Sequence, residues 1–186
     1  VDKDVSAGSG ITTVAGRLAL AITLLAFGLG HAAVLDGVSA ADAVSVAQYV
    51  GGIALFAAGL LALRDGDTAG GTAFSVLGAL WFTWAVSAGA SGNEAGLFLL
   101  LFALVVLSLT LAGGEQLGQV VHGLFFVALL LMAIAEFAGN DGLAKAGGWF
   151  AVAAGAVAWY AATAVLAHWP TAVPRRAAGR GVTATG

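Results

Sequence analysis

Six long stretches of this chain carry no Asp, Glu, Lys or Arg: residues 18–35, 43–63, 68–93, 95–114, 116–135 and 146–174. A helix needs about 20 apolar residues to cross a hydrocarbon core roughly 30 Å thick. Each stretch is that long, or nearly so once its His, Ser and Thr flanks are counted. Short polar clusters separate them: Asp36-Gly37, Arg64-Asp65-Gly66-Asp67, Gly92-Asn93-Glu94, Gly113-Gly114-Glu115 and Gly139-Asn140-Asp141-Gly142. Such clusters form turns and are too short to hold a soluble domain. The pattern predicts an all-α integral membrane protein with six transmembrane helices in one bundle, at about 14–35, 43–63, 68–90, 95–113, 116–138 and 142–168. Residues 1–13 form an N-terminal tail, and 169–186 a basic, mobile C-terminal one.

Composition closes off the other classes. Of 186 residues 60% are hydrophobic and 9% charged, against about 25% charged in a soluble domain. A net charge of −3 offers no basic field for nucleic acid. With no cysteine there is no disulfide framework and no Cys-ligated metal, and no cofactor is expected. The first stretch is preceded by Val1-Asp2-Lys3-Asp4 rather than a basic segment, so it reads as a retained helix and not a cleaved signal. Continuous apolar runs also argue against a β-barrel, whose strands alternate.

Six spans place both termini on one side. Lys3, Arg17, Arg64, Arg175, Arg176 and Arg180 fall there, against Lys145 alone on the other. The bias predicts cytoplasmic termini and a plasma-membrane location. Small residues at four-residue spacing, Gly147/Ala151/Gly155 and Ala54/Ala58/Ala62, predict close helix crossings in lipid. Gly66 followed by Asp67-Thr68, and Gly139 followed by Asn140-Asp141, read as a helix stop and then an N-cap. Trp169 suits the interfacial belt, whereas Trp81 and Trp149 are expected between helices.

Polar groups inside the spans are the candidate functional residues, because lipid leaves them no partner. Glu136 has two open readings: a protonatable group lining a water-filled lane, or an end-of-helix carboxylate solvated or paired with Lys145. His31 and His122 lie in apolar surroundings without metal-ligand spacing; Asp36 and Asp42 are expected to be solvated. Thr72 and Ser75, near the start of the third helix, either meet a polar solute or bond back to their own helix carbonyls. No Ser-His-Asp, paired-carboxylate or phosphate-cradling pattern is present, so an enzyme is not expected.

The segments Tyr49-Val50-Gly51-Gly52-Ile53-Ala54, Gly66-Asp67-Thr68, Thr72-Ala73-Phe74-Ser75 and Gly78-Ala79-Leu80-Trp81 resemble the succinate–acetate permease (YaaH, acetate uptake transporter) family. Ala138-Gly139-Asn140 and Gly147-Gly148-Trp149 resemble two further family segments. The resemblance implies a homohexamer in the lipid bilayer whose protomers each carry a pore for small monocarboxylates such as acetate. It also implies a constriction at Ile22, Leu77 and Phe125. Glu136, Thr72, Ser75, Tyr49 and Asn140 are the candidate pore-lining or protonatable residues. The family's NPAPLG signature is absent, since Thr13-Val14-Ala15-Gly16-Arg17-Leu18 stands in its place. Leu77 replaces the constriction's tyrosine, Leu55 a glutamine, and Glu136 a neutral polar residue. A lane that loses donors and gains an acid suits a neutral acid or proton-coupled anion. The alternatives are a non-conducting scaffold or accessory protein, and a channel for neutral solutes of the urea or amide type.

Overall fold

The computed structural model describes residues 2–87 and 92–169, with side chains from Gly10 onward. The basic tail containing Arg175, Arg176 and Arg180 lies outside the described residues. The chain forms helices α1 (Asp2–Ala32), α2 (Ala40–Arg64), α3 (Thr68–Val86), α4 (Asn93–Leu111), α5 (Gln116–Ala138) and α6 (Asp141–Leu166). All six are long and apolar enough to cross a membrane; in α1 the qualifying part is Gly10–Ala32. No strand occurs among the described residues.

Local chemistry sets the helix ends. Gly66 has φ +88°, and the Asp67 side chain next to it accepts the Gly70 N–H at 2.9 Å, starting α3. Gly139 turns left-handed at φ +59° to stop α5, and Asn140 Oδ1 accepts the Leu143 N–H at 3.1 Å to start α6. Each cap satisfies a backbone donor that the first turn leaves unpaired. Asp42, expected to be merely solvated, accepts both the N–H and the hydroxyl of Ser39 at 2.8 Å and fixes the entry to α2.

Glycine sets the closest crossing. A Cβ on Gly28 would lie 2.6 Å from the backbone N of Val152, and one on Gly148 would lie 2.5 Å from that of Ala32. No side chain fits there, so α1 and α6 touch backbone to backbone and gain dispersion contacts that bulkier residues would forbid. Helix α2 winds as a π-helix over Ala47–Ala54, a rare geometry that often marks functional positions. Large apolar side chains such as Ile53, Leu60, Leu101, Leu104 and Leu111 point outward. In water that surface would be a liability; in a bilayer it is the solvent-compatible face.

Candidate functional site: two vestibules and a buried septum

Two cavities open at opposite ends of the bundle. The proximal one, at the end where α1 begins, has a volume of about 630 Å³ and is lined by residues including Thr13, Arg17, Leu20, Thr72, Glu115 and His122. The distal one, about 460 Å³, is lined by residues including His31, Trp84, Ser87, Phe98 and Glu136.

Reading along the helices shows what lies between. On α1, Leu20 lines the proximal cavity and His31 the distal one, with Leu24 and Phe27 buried in between. On α3 the order is Phe74, then buried Leu77 and Trp81, then Trp84. On α5 it is His122, then buried Phe125 and Leu129, then Glu136. The buried residues form an aromatic septum. Trp81 stacks on Phe125 at 5.4 Å, the planes 10° apart, and meets Phe27 and Phe102 edge-on at 5.1 and 5.6 Å. Phe102 closes the cluster against Phe125 at 5.4 Å. Edge and offset contacts of this kind add to the stabilisation from burial alone.

The proximal mouth is braced by paired polar groups. Arg17 and Glu115 form an ion pair between α1 and the residue preceding α5. Thr12 Oγ1 donates to Asp65 at 3.0 Å, and Thr13 Oγ1 to Asp67 at 3.1 Å. At the distal mouth Glu136 accepts the Gly92 N–H at 3.1 Å, so its carboxylate holds the start of α4 and does not pair with Lys145. His31 Nδ1 lies 2.8 Å from the Phe27 carbonyl. That contact requires the proton on Nδ1 and leaves Nε2 as the nitrogen open to other partners.

The expected site residues separate accordingly. Leu77 and Phe125 are completely buried in the septum. Ile22 is 51% exposed on the outside of the bundle, whereas Ala21, Thr23 and Leu24 face inward. The expected triad therefore does not assemble within the chain, and Phe125 meets Trp81 and Phe102 instead. Thr72 lines the proximal cavity. Ser75 does not: its buried hydroxyl abuts α2 at Gly59, where a Cβ would come within 2.4 Å of it. Glu136 lines the distal cavity. Tyr49 is 61% exposed on the outer surface and Asn140 is the cap of α6, so neither lines a cavity. Trp149, expected between helices, is 54% exposed, while Trp81 is fully buried as expected. Sequence reasoning missed Phe27, Phe102 and the Arg17–Glu115 pair. Two aromatics in an apolar chain carry no signal of their own, and the pair joins residues 98 apart.

Comparison with known proteins gives this arrangement a context. The model of the GPR1/FUN34/yaaH family matches residues 10–173. The chain is 32% identical over 140 residues to the Escherichia coli succinate-acetate/proton symporter SatP, covering 69% of this chain and 72% of that protein. It is 29% identical over 169 residues to the glyoxylate pathway regulator of Yarrowia lipolytica, covering 82% of this chain and 62% of the relative. Identity is 30% over 141 residues to the ammonia transport outward protein 2 of Saccharomyces cerevisiae, covering 67% and 50%. The chain thus spans between half and two thirds of the length of these two yeast relatives. The solved structure of the bacterial acetate channel SatP superposes with a TM-score of 0.75 at 26% identity, covering 84% of this chain and 92% of that one.

Proposed function

The chain belongs to the GPR1/FUN34/yaaH family, and on that premise we propose that it is a membrane channel or transporter for small monocarboxylates such as acetate, with one pore in each protomer. The observation that carries this reading is the pair of cavities at opposite ends of a single bundle, with the buried Leu77, Trp81 and Phe125 lying between them along the helices. Solute crosses where those side chains yield. The likeness to an acetate channel structure and to a succinate-acetate symporter supports the substrate class. Following the resemblance, the protomers assemble as a homohexamer in the plasma membrane. The distribution of six cationic residues against one supports cytoplasmic termini.

A channel for neutral solutes is the second reading, and the charge at the mouths favours it. Asp67 and Glu115 line the proximal cavity and Glu136 the distal one. The cation there, Arg17, is already paired with Glu115. A bare anion meets no unpaired Lys or Arg side chain among the residues lining either cavity.

Uptake of labelled acetate into liposomes holding the purified protein, against empty liposomes at pH 5 and pH 7, tests the proposal. Saturable, protein-dependent uptake is the expected result. No protein-dependent uptake at either pH overturns the monocarboxylate reading. Uptake of urea or acetamide in its place establishes the neutral-solute one, and transport of none of them leaves a scaffold.

A further inference from the structure

The septum is apolar except at one place. Thr23, on α1, is the polar residue buried as a whole among those described; the Ser75 hydroxyl is buried as well but lies against α2 at Gly59. Its Oγ1 donates to the Ala19 carbonyl at 2.8 Å, which uses the hydroxyl proton and leaves the oxygen as an acceptor. Trp81, on α3, has a fully buried indole Nε1–H with no acceptor in reach among the described residues. Buried donors are rarely left in this state, because nothing replaces the hydrogen bond they gave up in water.

The two residues close on one glycine. A Cβ on Gly51, in the π-helical part of α2, would lie 2.6 Å from Thr23 Cγ2, 2.9 Å from Thr23 Oγ1 and 3.1 Å from Trp81 Cγ. Both side chains thus pack on the bare backbone at 51 and line neither cavity, so a solute reaches them only as the septum parts. The titratable groups of the pathway lie elsewhere: Arg17, Asp67, Glu115 and His122 at the proximal cavity, His31 and Glu136 at the distal one.

Resting on the pore reading above, we infer that Trp81 Nε1–H and Thr23 Oγ1 form the polar step of the septum and receive a small neutral solute that carries one acceptor and one donor on the same carbon. A protonated C2 carboxylic acid has that pattern. Its carbonyl oxygen accepts from Trp81, and its O–H donates to Thr23. A carboxylate has two acceptors and no donor, and it meets no cation there, so its charge is left uncompensated in a low-dielectric passage. Acetamide offers the same carbonyl and an N–H, and is a probe whose charge does not change with pH.

The test uses the full chain in liposomes at pH 5, comparing wild type with Trp81→Phe, Thr23→Val and Thr23→Ser. Trp81→Phe is expected to lower the protein-dependent acetate rate about tenfold, the size of one lost hydrogen bond. Thr23→Val lowers it similarly, Thr23→Ser retains it, and acetamide competes with acetate in the wild type. Wild-type rates in Trp81→Phe, or equal rates in Thr23→Val and Thr23→Ser, overturn the inference. Should Trp81→Phe fail to fold, the Thr23 pair decides alone. A wild type that carries neither acetate nor acetamide overturns the pore reading itself, and the inference with it.

Discussion

The two vestibules are built from similar helices but handle polarity in opposite ways. At the proximal mouth the polar groups satisfy one another across elements: Arg17 with Glu115, Thr12 with Asp65, Thr13 with Asp67. These contacts tie α1 to the turn between α2 and α3 and to the start of α5. At the distal mouth Glu136 takes a single backbone N–H from Gly92, and His31 spends Nδ1 on its own helix. Among the described residues, one carboxylate oxygen and one imidazole nitrogen there have no such engagement. The proximal end is thus braced by its polar residues, and the distal end holds its titratable groups toward the cavity. The septum between them depends on packing alone.

The largest expected effect breaks the division itself. Phe125→Ala removes the ring stacked on Trp81 and opens a void in the septum. It costs about 3–5 kcal/mol of stability, read as a lowered thermal midpoint in detergent, and it admits larger solutes in a flux assay. Gly148→Val forces α1 and α6 apart at their backbone contact and costs about 1–3 kcal/mol, read as a lower thermal midpoint in detergent. The caps give a matched pair, one from each end. Asp67→Ala removes the α3 cap and the Thr13 contact together, whereas Asn140→Ala removes only the α6 cap. The first therefore costs more than the second, each being on the order of 1 kcal/mol; equal midpoints would deny the proximal mouth its extra bracing.

Smallest in stability, and sharpest for the comparison, are the two acid-to-amide changes. Glu115→Gln breaks a partly exposed ion pair worth about 0–1 kcal/mol and frees Arg17. Acetate flux at pH 7 is expected to rise at least about twofold, through the added positive potential at that mouth. Glu136→Gln keeps an oxygen to accept the Gly92 N–H, so the midpoint stays within about 1 kcal/mol of wild type. The pH dependence of flux is expected to change; an unchanged profile means Glu136 is only a clasp for α4.

How much of this was legible beforehand follows from where the signals lie. The six spans and the caps at Asp67 and Asn140 depend on charge punctuation and on residues a few positions apart, which a sequence displays directly. Which face of each helix turns inward is another matter. In water a helix advertises its buried face by apolar periodicity. In lipid the outer face is apolar too, so Ile22 and Leu24 look alike, and so do Trp81 and Trp149. Tyr49, a pore-lining candidate in the sequence, turns outward, and apolar neighbours on both faces of its helix give no sign of it. The π-helical winding at Ala47–Ala54 has no pattern in the sequence, and the Arg17–Glu115 pair exists only once the bundle has formed.

The central claim, two vestibules opening to opposite sides and closed from each other by the septum, has a direct test because the chain contains no cysteine. Thr72→Cys places a thiol in the proximal cavity and Ser87→Cys one in the distal cavity. A membrane-impermeant thiol reagent is then applied from one side at a time to protein of fixed orientation in vesicles. The account predicts that Thr72→Cys reacts only from the side of the chain termini and Ser87→Cys only from the other. Labelling of both from the same side, or of either from both sides with the septum intact, would contradict it.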